Sequence, residues 1–405
     1  MNKVLEEKVL KYIDDNRDEL FHQLSELVKI DTQNFYKNGG NENDGQDYLA
    51  KICKEIGVDV DIYAPDSVPG LVESDEYNPG RQTDKRNNLV ATLKGEEDKN
   101  GIMLAAHMDT MPAGDLSNWE NSPFSGLIKD GRIYGRGAGD DKFGIALAWF
   151  LMKAFVDLGI TPKKNILLGS YCDEEGGGGN GALGLCLKHP SECIINLDSK
   201  GFEKQALGGG CFNLKLQSTL NDKSIASVFD VFTGVQAIIK ELEILHQEPN
   251  ITVRLSKVSC GDGGGKTALI SIGIYTDRTK EETEKQLADI FEKVKPVLKE
   301  QHLASDGFIR TTKFFRYGRT DEGSKEAALL ADCIEEITGI YPESSGSCLS
   351  DLSIFLHFAT TNSFNYGIPR GDDNGGGAHQ PNEFVECDNM VQCAKAMALM
   401  LLRMQ

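Results

Sequence analysis

"GIMLAAHMDTMPAGD", residues 101–115, decides how this chain is read. An unbroken apolar run, Ile102 to Ala106, ends at His107, and Asp109 follows two residues later. A short apolar run bounded by turn residues fits a strand buried on both faces, as in a sheet covered by helices. Residues i and i+2 of a strand share one face. An imidazole and a carboxylate thus leave the end of a buried strand together, where open α/β sheets build their sites. Read alone, the pair is equally a capped strand end with a solvated histidine.

Outward from this stretch, the pattern repeats. "RNNLVATLKG" precedes it as another strand, and "LIKDGRIYG" carries an Asp-Gly turn between alternating flanks, a hairpin signal. Phe143 to Leu158 reads as an apolar helix, Asn165 to Tyr171 as a buried strand, Ala182 to Lys188 as a helix and "CIINLDS" as a further strand. The N-terminal residues 3–29 alternate at helical spacing, charged and amphipathic, unlike a secretion signal. Strand–helix–strand alternation predicts a mixed α/β sheet flanked by helices.

Between about 204 and 315 the texture changes. "GGGCFNLKLQST", "NITVRLSKVSC" and "ALISIGIYTD" alternate apolar and polar residues like half-solvated antiparallel strands, with helical segments at Val231–Leu245 and Glu281–Lys299. The order β-α-β-β-α-β predicts a ferredoxin-like α+β unit. The catalytic domain is therefore expected at 1–203 and 316–405, interrupted by an inserted domain at 204–315.

With 62 acidic and 43 basic residues the formal charge is -19, which argues against nucleic acid and anionic membranes as partners. No apolar run approaches the ~20 residues of a membrane span. Ten cysteines lie scattered with no C-x-x-C pair, the usage of a reduced cytoplasm. Only seven histidines are available to chemistry. His357, in "IFLHFA", is expected in a helical core position. "CGDGGGKT", 260–267, lacks the first glycine of a phosphate-binding loop and runs into a strand, so it is read as a hairpin turn.

Acidic or imidazole side chains end each apolar strand of the first sheet. Asp140 and Asp141 follow "YGRGAG" ahead of the apolar helix, where, read alone, they are better taken as a helix N-cap. Asp173, Glu174 and Glu175 end one strand, Asp198 ends another, and His379 precedes Pro381 near the last helix. Each alone is also a solvated loop or turn. Together, two histidines with several carboxylates suit zinc, with manganese or cobalt as substitutes, and two-metal hydrolysis of amides or esters.

These segments resemble the dinuclear zinc amidohydrolases that include aminoacylase, acetylornithine deacetylase, succinyl-diaminopimelate desuccinylase, glutamate carboxypeptidase and peptidase T. "AAHMDTMPAGD" resembles that family's His-x-Asp-x-x-Pro segment, "YGRGAGDDKFG" its Gly-Arg-Gly…Asp-Asp-Lys-x-Gly segment, "DEEGG" its Asp-Glu-Glu segment and "AHQPNEFV" its His-x-Pro-x-Glu segment. The resemblance implies two Zn²⁺ per chain, with Co²⁺ or Mn²⁺ able to substitute. His107, Asp140 and Asp198 would hold one ion, and Asp140, Glu175 and His379 the other. Glu174 would be the general base on the water the ions share, and Asp109 would orient His107. A cis peptide is implied at Asp140–Asp141. The inserted domain would be a lid and dimerisation domain, in which Arg278 of "IYTDRT" would meet a substrate carboxylate. The "Gly-x-x-His-Ser" segment of dimerising lids has no counterpart in "NDKSIASVFDVFTGVQA". The expected activity is zinc-dependent cleavage of an amide or peptide bond in a dipeptide, short peptide or N-acyl amino acid, by a cytoplasmic enzyme, with a homodimer through its lid as the implied assembly. A deacylase of amino-acid biosynthesis and a catalytically silent metal-binding relative are the alternatives.

Overall fold

The computed structural model describes residues 3–35, 40–220, 225–261, 266–344, 349–371 and 375–404. Two units divide it: Met1–Gln205 with Arg319–Gln405, and Ala206–Gly318. The changes of sequence texture had placed these divisions at 204 and 315.

A seven-stranded mixed sheet forms the larger unit, in the order Asp59–Tyr63, Asn88–Leu93, Lys164–Tyr171, Glu97–His107, Cys193–Asn196, Ser363–Tyr366 and Phe202–Glu203. The four strands from Lys164–Tyr171 to Ser363–Tyr366 run parallel to their neighbours, while the outer pairings are antiparallel. The parallel strands are almost wholly buried because helices cover both faces. Ile102, Leu104 and Ala106 pack into one core with helices Lys3–Lys29, Lys142–Asp157 and Cys387–Arg403. Met103, alternate in the strand, faces the other side, where it and Leu185 of helix Asn180–Lys188 crowd Gly169. Helix Lys142–Asp157 is apolar nearly all round, so it lies inside, between the sheet and the outer helices.

The "LIKDGRIYG" hairpin forms at Leu127–Lys129 and Arg132–Tyr134, and a third strand, Phe384–Glu386, joins it antiparallel. That third strand has no alternating run long enough to be read from sequence. His357 is a correction: it lies on the exposed side of helix Leu352–Phe358, because five consecutive residues before it take the buried positions.

In the smaller unit, strands Gly208–Ser218, Ile251–Cys260 and Thr267–Thr276 and helices Ile225–His246 and Lys280–Glu300 follow the expected order, closed by Leu303–Ala304. The sheet runs Ile251–Cys260, Thr267–Thr276, Gly208–Ser218, Leu303–Ala304, all antiparallel, with a core of its own. Residues 262–265 of the "CGDGGGKT" turn lie outside the described residues. Among the described residues no helix is long and apolar enough to cross a membrane, and nine cysteines are free.

Candidate metal centre

The site gathers at the C-terminal ends of the parallel strands. His107 is the last residue of Glu97–His107, the Asp173–Glu175 turn follows Lys164–Tyr171, and Asp198 follows Cys193–Asn196. Asp140 precedes helix Lys142–Asp157, across a cis peptide to Asp141. His379 comes from the loop before strand Phe384–Glu386.

His107 Nε2 lies 3.1 Å from Asp140 Oδ1. His379 Nε2 lies 3.1 Å from Asp140 Oδ2 and 2.8 Å from Glu175 Oε2. Asp140 thus presents one oxygen to each imidazole. His107, Asp140 and Glu175 offer donor atoms within 4.8 Å of one another, and so do His107, Glu174 and Asp198. Both groups differ from the implied sets: in the first, His107 stands with Asp140 and Glu175 where His379 was expected, and in the second, Glu174 stands with His107 and Asp198 where Asp140 was expected. Arg370, from the loop after strand Ser363–Tyr366, contacts both Asp140 and Asp198.

Burial disfavours charge on Asp140, Glu174 and Glu175, and neighbours decide which gives way. Asp140 is held well below the usual range, since Arg370, His107 and His379 outweigh its burial. Burial pushes Glu174 well up, and Asp198, Asp351 and Glu175 add to it against His107. Glu175 is raised by burial and by Asp140. Burial works against a charged His107, yet the Asp140 hydrogen bond and the charges of Glu174 and Asp109 raise it well above its ordinary value. Four carboxylates packed against two imidazoles and one guanidinium are a donor set short of positive charge. Divalent cations bound by oxygen and imidazole nitrogen fit that chemistry.

Asp109 works differently from the expected role. His107 Nδ1 meets the main-chain oxygen of Asp109 at 2.9 Å, and the Asp109 carboxylate stands 3.6 Å away. That carboxylate instead accepts the main-chain N–H groups of Glu174 and Glu175, each at 3.1 Å. Asn34 Nδ2 donates to it at 2.7 Å. Asp109 therefore fixes the turn that carries both glutamates, while its backbone sets the imidazole.

A buried ionic layer supports this turn. Asp173 adopts φ 66°, a left-handed conformation that Asp tolerates better than most residues. Its carboxylate accepts from Arg81 at 2.5 and 3.0 Å and from Arg86 at 2.7 Å. Arg86 also binds Glu42. The glycines that follow are needed: a Cβ on Gly178 would sit 1.9 Å from Asp173 Oδ2. Asp173 thus faces away from the donors. On the other side, Glu383 accepts from Arg136 at 2.7 Å and from the N–H groups of Gly137, Gly139 and Asp140 at 3.0–3.2 Å.

Arg278 belongs to the smaller unit. Its guanidinium binds Gln286 and, at 2.8 Å, Glu248. Sequence reading passed over Arg370, Arg86, Arg81, Asn34 and Glu42, because isolated polar residues default to the surface. Glu383 lay within a quoted motif but had no role.

Strand-end donors of this kind define a metallohydrolase site. The chain belongs to peptidase family M20/M25/M40, whose profile matches residues 103–403; it is a metal-dependent hydrolase acting on C–N bonds. It is 33% identical over 154 residues to an uncharacterised metallohydrolase of Methanocaldococcus jannaschii, an alignment covering 38% of this chain and 36% of that protein. It is 24% identical over 432 residues to the N-formyl-4-amino-5-aminomethyl-2-methylpyrimidine deformylase of Halalkalibacterium halodurans, covering 96% of this chain and 95% of that one. Human carnosine dipeptidase 1 has a similar fold, with TM-score 0.72 at 15% identity over 99% of this chain and 98% of that one.

Proposed function

We propose that the chain is a zinc hydrolase that cleaves the amide bond of a dipeptide, a short peptide or an N-acyl amino acid, with Glu174 as general base. The observation that carries this reading is the pairing of Asp140 with both imidazoles, next to a glutamate held well above its ordinary value. His107, Asp140, Glu175, Asp198 and His379 would hold two ions, which supply Lewis acidity toward the carbonyl and acidify water. The chain's own residues do the rest. Glu174 takes a proton from the attacking water and returns it to the leaving nitrogen, a task for a carboxyl that burial raises above its ordinary value. Asp109 holds the Glu174–Glu175 turn through two N–H groups, so the base keeps its place while the proton moves.

The deformylase and the dipeptidase act, by their names, on a formamide and a dipeptide. Both fit amide hydrolysis of a small substrate, so peptidase and deacylase stay together in this reading. A cytoplasmic setting with reduced cysteines, small-molecule or short-peptide substrates, and neither nucleic acid nor membrane as partner belong to it. So does a homodimer through the smaller unit, supported by its edge strand Ile251–Cys260, which exposes Leu255 and Val258. Arg278 would take a substrate carboxylate. The test is zinc-dependent product release from a panel of dipeptides, N-acetyl, N-formyl and N-succinyl amino acids. Turnover of phosphoesters alone, or of no member with metal bound, would overturn the proposal.

A further inference from the structure

Arg370 places its guanidinium among the metal-site carboxylates. Nη1 stands 3.0 Å from Asp140 Oδ2, and Nη2 2.7 Å from Asp198 Oδ1. The side chain is 9% exposed, and its Nε is buried without a hydrogen-bond partner. An arginine placed for hydrogen bonding alone would satisfy Nε as well. This one is placed by charge: both terminal nitrogens go to aspartates of the donor set. The Asp198 carboxylate accepts a hydrogen bond from Arg370 Nη2. At Asp140, Arg370 shares Oδ2 with His379, while Oδ1 faces His107.

A lone pair directed at a guanidinium cannot also be directed at a divalent cation, and two positive groups on one carboxylate oxygen repel each other. We propose that Arg370 is a tethered counter-cation that competes with metal for Asp140 and Asp198, so that one ion binds only as the guanidinium withdraws. The inference rests on the two-ion reading above. Its consequence is inequality between the ions. Each ion keeps two ligands outside the reach of Arg370 and contests a third: Asp140 Oδ2, 3.0 Å from Nη1, for the ion of Glu175 and His379, and Asp198 Oδ1, 2.7 Å from Nη2, for the ion of His107. The ion that uses Asp198 must displace the shorter, hydrogen-bonded contact, and it binds more weakly. Arg370 also keeps the two aspartates compensated before any metal arrives, so the site folds without it.

The test is Co²⁺ titration of full-length wild type, R370Q and R370K after chelator treatment, followed by calorimetry and the visible absorption of bound cobalt. Wild type should bind two equivalents in two steps. R370Q should tighten the second step by about 10- to 100-fold, the size of effect that one neighbouring charge exerts on a carboxylate. Lysine reaches one carboxylate at a time, so R370K should tighten the same step by a smaller factor, about threefold. Melting in EDTA should be lower for R370Q than for wild type, and Co²⁺ should restore it. Should R370Q not fold without metal, R370K decides by the same sign of change. A second step unchanged or weaker in the variants means that the arginine supports the carboxylates instead of competing, and overturns the inference. Wild type that binds no Co²⁺ sinks the two-ion reading itself, a distinguishable result.

Discussion

Replacing Glu383 by glutamine separates charge from shape at the clamp on the Asp140 loop. Arg136 Nη1 and the Gly137 N–H converge on Oε2, and the Gly139 and Asp140 N–H groups on Oε1. The Arg136 and Glu383 side chains are 2% and 1% exposed, so water cannot replace a lost partner. Whichever way the glutamine amide turns, its NH₂ takes the place of one acceptor, and two donors then face a donor. Each orphaned buried donor costs ~1–3 kcal/mol. Removing one member of a buried ion pair costs ~3–5 kcal/mol. These costs overlap, because Arg136 is counted in both, so the expected loss is ~3–5 kcal/mol. The chain's two tryptophans, Trp119 and Trp149, both lie in the larger unit, so fluorescence during urea unfolding reports on that unit. E383Q should shift the midpoint down with the slope unchanged. It should also bind metal more weakly, since Asp140 rides on the released loop. A loss below ~1 kcal/mol with full metal content would refute the clamp.

Three further outcomes are expected. Asp109→Ala should lower kcat and metal content together, because the Glu174 and Glu175 N–H groups lose their shared acceptor; a variant that merely loosens the His107 ring would keep Glu174 in place and lose less than tenfold. Arg278→Ala should raise KM for substrates with a free carboxylate and spare their amides, and equal effects on both would remove Arg278 from the substrate. Hydrogen bonds from Arg403, ahead of burial and reinforced by its charge, hold Glu6 below its usual 4.5. A depressed carboxylate stabilises above the unfolded value and ceases to as pH falls through the folded one. Wild type should therefore exceed Glu6→Gln by ~1 kcal/mol at pH 7, with the difference vanishing below pH 4.5; a difference that persists in acid would contradict the assignment.

The parts of this molecule that were legible in sequence share a physical cause. The strand ends at His107, Glu175 and Asp198 stand out together, because charges at the tips of several buried parallel strands point to one shared site. The inserted unit was legible because its half-solvated strands alternate where the main sheet does not. Arg370 was illegible, since "GIPRGDDNGGG" has no periodicity and its contacts are made across the chain. Arg86 and Glu42 were missed for a related reason: burial of a charge is decided by a partner, here 44 residues away. The role of Asp173 in "DEE" was illegible: the left-handed turn there points it toward Arg81 and Arg86, while Glu175 points toward His379.

The division of labour between Glu174 and Glu175 is the centre of the account, and it is a real contest, because Glu174 stands among potential ligands beside His107 and Asp198. Metal content and kcat of E174Q, measured beside E175Q, decide it. Glutamine keeps size and removes basicity. The account predicts that E174Q retains wild-type metal and KM while kcat falls about two to four orders of magnitude, and that E175Q loses metal. Near-normal kcat in E174Q, or loss of metal from E174Q while E175Q keeps it, would contradict the account.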